Sequence, residues 1–217
     1  MTYQVKRMTR QDLDTAVEWA AKEGWNPGLC DAEAFYTTDP NGFFMGYLGD
    51  EPVASISAVS YPGGFGFLGF YIVKPEHRGK GYGIKVWNEA IKYLSHHNIG
   101  LDGVVAQQEN YKKSGFKLAY RNIRYEGLGG GKKTKSEKLV KLSTVPFEQV
   151  IAYDEKLFPA PRTPFLRLWF QQPESLSLGY LDKGNLKGYG MVRKCRTGYK
   201  VGPLFADNAK IAETIFS

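Results

Sequence analysis

Val73-Lys74-Pro75-Glu76-His77-Arg78-Gly79-Lys80-Gly81-Tyr82-Gly83-Ile84 decides how this chain is read. Before it, Phe65 to Val73 is apolar and aromatic almost throughout, the composition of a strand buried on both faces. After it, Ile84, Trp87, Ile91 and Leu94 recur at helical spacing and predict one apolar helix face. The quoted stretch is therefore the bend where a buried strand turns into a helix. Such a bend aims several backbone N–H groups at one point, and the helix dipole adds partial positive charge there. Glycines at 79, 81 and 83 remove side chains that would hold a ligand away, and Arg78 and Lys80 add formal charge. The combination predicts a cradle for a diphosphate.

Other nucleotide motifs fit poorly. No Gly-x4-Gly-Lys-Ser/Thr run is present, which argues against a P-loop enzyme. Gly64, Gly66 and Gly69 have dinucleotide-fingerprint spacing but lead into an aromatic strand instead of opening a helix.

Working outward, Thr2 to Met8 alternates like a strand, and Thr9 with Asp12 looks like a capping box for a helix ended by Gly24. Asp31 is placed to cap a short helix through Phe35. Phe43–Leu48 and Val53–Ser60 read as a hairpin around Gly49-Asp50-Glu51. Beyond the cradle helix, strands are expected over Leu101–Ala106 and Leu118–Tyr125, with a short helical segment over Gln107–Ser114 between them. The fold class is α/β with a mixed sheet.

Gly127 to Lys135 reads as a flexible, charged connection. The expected units are 1–128 and 139–217, joined by 129–138. The second part echoes the first: Val140-Lys141 before a helix matches Val5-Lys6, and Gly179-Tyr180-Leu181 before a turn matches Gly46-Tyr47-Leu48. This is the pattern of a degenerate duplication. The second copy lacks counterparts of Leu101 to Tyr125, so it is either incomplete or closes its sheet differently. Where the cradle would recur, Val201 to Ala209 has no Arg-Gly-x-Gly-x-Gly run and carries Asp207, so no coenzyme is expected there in the same manner. Covering the acceptor side of the first unit, or mediating association, is the expected role. Arg162, Phe165, Leu166 and Trp169 have helical spacing, and the aromatic positions Phe165 and Trp169 are read as core.

Val73-x-Pro75-x-x-Arg78-Gly79-x-Gly81-x-Gly83 resembles the coenzyme A pyrophosphate loop of the GNAT superfamily of N-acetyltransferases, and Tyr111-x-x-x-Gly115-Phe116 resembles its second hallmark. The two come in the expected order, one helix and one strand apart, and the likeness covers about Tyr3 to Glu126. The whole chain is similar to tandem members, on Glu23 to Gly28 and Asn110 to Gly115. One departure is that only Gln107 to Asn110 separates the strand from Tyr111, where many members have a longer helix.

The resemblance implies acetyl-CoA as co-substrate, with its pantetheine arm along Phe70, Tyr71, Ile72 and Val73 in a gap between splayed strands. It implies diphosphate contacts from Arg78, Gly79, Lys80, Gly81, Tyr82, Gly83 and Ile84, and further coenzyme contacts from Asn110 and Lys113. Tyr111 is the implied acid for the leaving thiolate; Trp25 and Asn26 are the implied acceptor wall. An alkylammonium must lose its proton before attack. The base is open among Asp31, Glu33, Asp102 and Glu109, and His77 is either a phosphate contact or a loop histidine. The expected reaction is acetyl transfer to a primary amine of a small molecule or peptide. The alternative is a catalytically inactive acyl-CoA-binding regulatory protein.

Charge and cysteine usage narrow the setting. Residues 1–130 carry no net charge, so the whole formal +7 lies after Gly130. No nucleic-acid motif accompanies it, and nucleic acid is not an expected partner. Cys30 and Cys195 make no disulfide framework, and with three histidines they show no metal spacing, so no metal is expected. With no leader-like start and no membrane-length apolar run, the expected compartment is the cytoplasm. A homodimer is left open.

Overall fold

Asp12 and Thr9 cap each other. The Asp12 carboxylate accepts from the Thr9 backbone N–H (2.8 Å) and the Thr9 hydroxyl from that of Asp12 (3.2 Å), opening α1 (Arg10–Lys22) after β1 (Tyr3–Arg7). Thr9→Ala is expected to lower stability by about 1 kcal/mol, read as a lower urea midpoint at unchanged slope. The computed structural model describes residues 1–131 and 134–217; Lys132 and Lys133, inside the expected 129–138 connection, lie outside the described residues.

The first sheet runs in the order β1, β2 (Phe43–Leu48), β3 (Glu51–Tyr61), β4 (Phe65–Val73), β5 (Asn98–Leu101). All neighbours are antiparallel except β4 and β5. α1 and α2 (Asp31–Thr38) cover one face, over Leu13, Val17, Phe43, Met45 and Ile72; α3 (Tyr82–Tyr93) covers the other, over Phe44, Ile56, Leu68, Val86 and Trp87. Strands clothed on both faces explain the near-continuous apolar runs in the sequence. α4 (Gln108–Lys113) follows β5 after a single 3₁₀ turn.

The second sheet is β6 (Leu139–Lys141), β7 (Ser175–Asp182), β8 (Asn185–Lys194), β9 (Tyr199–Ala206), antiparallel throughout, with α5 (Phe147–Asp154), α6 (Thr163–Trp169) and α7 (Ala209–Phe216). Its irregularities repeat those of the first sheet. The register shifts after Gly46 and again after Tyr180, 134 positions later; it shifts after Ser55 and again after Gly190, 135 positions later. Bulges re-aim side chains at defined points, so their recurrence in register is a firmer sign of duplication than matching residues. They also correct the match read from the sequence by one position: Tyr180, not Gly179, stands where Gly46 does, and its partner Leu139, not Val140, where Val5 does.

Three expectations need correction. The strand placed at Leu101–Ala106 is Asn98–Leu101, with Val105–Gln107 in the 3₁₀ turn. Leu118–Tyr125 forms no strand: β5, the outer strand, offers an edge only four residues long, and Leu118, Tyr120, Ile123 and Tyr125 are exposed. The buried face of α3 is Val86, Trp87, Ala90 and Leu94, while Ile84, in the first turn where the helix leaves the loop, is 53% exposed.

The two units meet through α2 and α6, and Phe35 lies 5.6 Å from Trp169 and 6.4 Å from Phe165, ring centre to ring centre. Trp169 is buried, as expected of a core position, while Phe165, read the same way, is half-buried against Phe35 and Trp169. Beneath them Arg193 grips Asp31 with two hydrogen bonds (2.7 and 3.0 Å), both side chains buried, and its guanidinium carbon sits 4.4 Å from the Trp169 ring centre.

Candidate active site

β4 is paired to β3 along its length, as far as Ala54 opposite Val73, but to β5 only over Phe65–Leu68. Beyond Leu68 the two strands part, and one edge of β4 is left with polar main-chain groups to satisfy. At the parting Phe70 takes a φ of 46°, and the Ser55 hydroxyl donates to its carbonyl (2.7 Å). Ile72 packs into the α1 side of the core and Val73 into the α3 side, while the Tyr71 ring lies 5.2 Å from Trp87. The side chains of Tyr71, Ile72 and Val73 are thus spent on packing, and what they offer a ligand is backbone.

The loop after β4 leads into an uncapped helix. Gly81 is the N-cap of α3 at φ 78°, and no side chain accepts from the first turn, so those N–H groups have no partner within the helix. A Cβ added at Gly79 or Gly81 would meet nothing within 4 Å. This is open space fronted by donors and a helix dipole, and it fits a diphosphate. Gly83 has another cause: a Cβ there would lie 2.8 Å from Tyr71 Oη and 2.9 Å from Val73 Cγ2. Lys80 is exposed. Tyr82 stacks on Tyr3 at 4.8 Å and accepts the Tyr3 hydroxyl at its carbonyl (2.9 Å); burial pushes that phenol up to about 12. Arg78 folds back, donating from Nε to the Val73 carbonyl (2.9 Å) and pairing with Glu23 at the end of α1. It braces the strand end in this structure instead of standing free beside the glycines. His77 turns towards Glu51 (3.5 Å). Glu51, Glu76 and His77 bring possible ligand atoms within 4.8 Å of one another, but Lys74 already stands 2.6 Å from Glu51 and 3.3 Å from Glu76.

Across the gap, the Tyr111 ring on α4 lies 6.0 Å from Trp87, which also contacts Phe116 at 5.8 Å. Trp87 thus ties Tyr71 on one side of the parting to Tyr111 on the other. Burial raises the Tyr111 pKa above the ordinary 10.0, with a main-chain hydrogen bond at Val104 pulling the other way, so the phenol keeps its proton through neutral pH. Gly103, which the sequence did not single out, makes room for it: a Cβ there would lie 2.3 Å from Tyr111 Cε2. Asn110 and Lys113 sit on the exposed side of α4, Asn110 donating to Gln107 (2.7 Å).

A strand gap, an uncapped glycine turn and a half-buried phenol are therefore assembled in one place by residues 4–116, and those same residues match the family described as Acetyltransferase (GNAT) family. Residues 150–217 match a second description, Acetyltransferase (GNAT) domain. The chain belongs to the GNAT acetyltransferase family. It is 33% identical over 216 residues to the holothin acyltransferase of Pseudoalteromonas sp. (strain SANK 73390), covering 100% of this chain and 74% of that one. An uncharacterised Caenorhabditis elegans protein is 30% identical over 166 residues, 67% of this chain and 51% of its own. A crystal structure from Pyrococcus horikoshii, assigned as an acetyltransferase, superposes with a TM-score of 0.82 at 25% identity over 99% of this chain and 74% of that one. The protein is an acyl-CoA-dependent N-acyltransferase with a second GNAT-like unit. Among the described residues no helix is long and apolar enough to cross a membrane.

The second GNAT-like unit closes the position that the first leaves open. Asn208 caps α7, its side chain accepting from the Ile211 N–H (3.0 Å). Asp207 accepts from the Tyr153 hydroxyl (2.9 Å) and lies 3.4 Å from Lys187. A helix start satisfied by its own side chain has less to offer a phosphate.

The residues assigned to the acceptor wall of this GNAT chain lie at the junction of the units. Asn26 exchanges two hydrogen bonds with the Thr197 backbone (2.8 and 3.1 Å), leaving its amide committed to docking. The carbonyls of Trp25 and Asn26 accept from Lys200 (2.9 and 2.8 Å), whose pKa burial lowers. The half-buried Trp25 side chain packs against the α1 core. Each carboxylate considered as base is engaged: Asp31 with Arg193, Glu33 with Arg10 (2.9 Å), Asp102 with Asn122 (3.0 Å), Glu109 with Lys112 (2.7 Å). Asp31 does not cap α2 through its side chain, which accepts from the Gly28 N–H (2.9 Å) as well as from Arg193. Sequence reasoning had no signal for that pair, whose members stand 162 positions apart.

Proposed function

We propose that this protein transfers an acetyl group from acetyl-CoA to a primary amine of a small molecule or peptide, by direct attack. The observation that carries this reading is the uncapped α3 start with free space above Gly79 and Gly81, set beside the parted strands. The first-turn N–H groups, from Gly81 to Ile84, bind the diphosphate, with Lys80 adding charge. The free edge of β4 from the Tyr71 backbone to the Val73 N–H hydrogen-bonds the pantetheine arm, the Val73 carbonyl being held by Arg78, and Asn110 and Lys113 flank its other side. The neutral amine nitrogen bonds to the acyl carbon as the carbon–sulfur bond breaks, Tyr111 gives its proton to the departing thiolate, and the proton shed by the nitrogen passes to solvent, from which the Tyr111 phenol is restored. A phenol whose pKa lies above 10.0 stays a donor across the range in which the amine loses its proton, so turnover rises with pH and falls only where Tyr111 ionises.

The test is turnover across a panel of amines with release of free CoA. Holothin, which the Pseudoalteromonas relative is named for, belongs in that panel. Tight acetyl-CoA binding with no acceptor giving free CoA would leave only a regulatory role. Tyr111→Phe is expected to slow turnover about a hundredfold at nearly unchanged acetyl-CoA affinity. An unaltered turnover number removes Tyr111 from the proton transfer.

A further inference from the structure

A cavity of about 400 Å³ lies in the second unit, between the start of β7, the turn before α5 and the end of α6. It is as large as ordinary small-molecule sites. The paired registers explain why it exists. Arg7 stands opposite Phe44 in the first sheet and Lys141 opposite Leu178 in the second, so the residues just before, Phe43 and Ser177, occupy matching positions. Phe43 is 1% exposed, its ring 5.9 Å from that of Tyr36. Seven positions before Ser177, as Tyr36 is before Phe43, stands Phe170, which lines the cavity. The first unit therefore fills with a phenyl ring the space that the second leaves to a hydroxyl.

That hydroxyl is unsatisfied. Ser177 Oγ has no hydrogen-bond partner and, as placed, almost no exposed surface, so it turns about its Cα–Cβ bond to meet the cavity. An unpaired buried donor and an adjoining void each cost stability, and here they occur together at one position of the repeat. The rest of the lining defines a chemistry. Leu142, Val145, Phe147 and Val150 supply an apolar wall. Lys141 and Arg167, both exposed, stand among the lining residues, with the Arg167 guanidinium 4.7 Å from the Phe147 ring centre. No carboxylate belongs to the lining.

We propose that this cavity is a second small-molecule site, separate from the acyl-transfer site, for an amphipathic carboxylate. Its apolar body lies against the wall, Ser177 donates to one of its oxygens, and Lys141 with Arg167 favours its charge. The assignment does not depend on the reaction of the first unit.

Octanoate is the probe, with octanol and octylamine as uncharged and cationic controls, titrated calorimetrically into the full chain. The expected order is octanoate tightest and octylamine weakest. Ser177→Phe restores the first unit's filling, and should weaken octanoate by about tenfold or more while leaving acetyl-CoA affinity unchanged and stability undiminished. Arg167→Gln, on the surface, should weaken octanoate and spare octanol, and serves if the Phe variant does not fold. Absence of octanoate binding, equal binding of octylamine, unchanged octanoate affinity in Ser177→Phe, or equal effects of Arg167→Gln on octanoate and octanol would each overturn the site.

Discussion

Gly81→Leu is expected to lose acetyl-CoA binding while still unfolding in one cooperative transition. The added side chain meets no protein atom within 4 Å of its Cβ, so nothing in the fold has to move for it. Its cost to the protein is the left-handed backbone at φ 78°, about 1–2 kcal/mol for a residue with a Cβ. Its cost to a diphosphate is larger, because the side chain projects into the space that the phosphate oxygens need. Losing two hydrogen bonds to a charged group, at about 1.5–3 kcal/mol each, weakens binding by about a hundredfold to ten-thousandfold. Gly81→Asn makes the cleaner version, since asparagine tolerates this backbone best after glycine. Gly83→Ala is the contrast: its Cβ collides with Tyr71 and Val73, and stability falls with it. Calorimetry showing full acetyl-CoA affinity in a folded Gly81 variant would mean the coenzyme lies elsewhere.

Arg193→Ala should produce the largest loss of stability of any single change discussed. It leaves the Asp31 carboxylate at 2% exposure with the Gly28 N–H as its remaining partner, and strips a cation from the face of Trp169. Breaking one side of a buried ion pair typically costs about 3–5 kcal/mol, because the other charge stays out of water. That is a large fraction of the whole stability of a domain. Replacing both partners, as in Asp31→Ala with Arg193→Met, removes the stranded charge and should recover much of the loss. Urea melts of the two single variants and the double variant give the coupling directly. A single-variant loss under about 1 kcal/mol would show that water reaches the pair.

Local chemistry was readable where one segment decides it. The strand, glycine turn and helix around Val73–Ile84, the Thr9 cap and the duplication all lie in short patterns with a fixed period or spacing. The phase of α3 was read too far towards Ile84, because an apolar residue in a first turn can face solvent at the lip of a loop as easily as the core. The Leu118–Tyr125 strand failed for a different reason: alternation shows that a segment could pair but says nothing of a free edge to pair with. Asn26 and Asp31 were assigned by what they neighbour in sequence, whereas their partners are Thr197 and Arg193. Ser177 carries no signal in the sequence, because only its position in the sheet, in register with Phe43 of the first unit, shows what is missing.

The clasp between Asn26 and Thr197 joins residues 171 positions apart, and the grip of Lys200 on Trp25 spans 175. During synthesis, the turn after α1 can take its final shape only once the hairpin of β8 and β9 has left the ribosome. The turn from β4 into α3, proposed to hold the diphosphate and built within residues 65–93, does not wait for it. A nascent chain therefore has a stage at which the coenzyme-binding half is folded while the rim beside it still moves, and proteolysis at that stage should cut first near Gly24–Gly28.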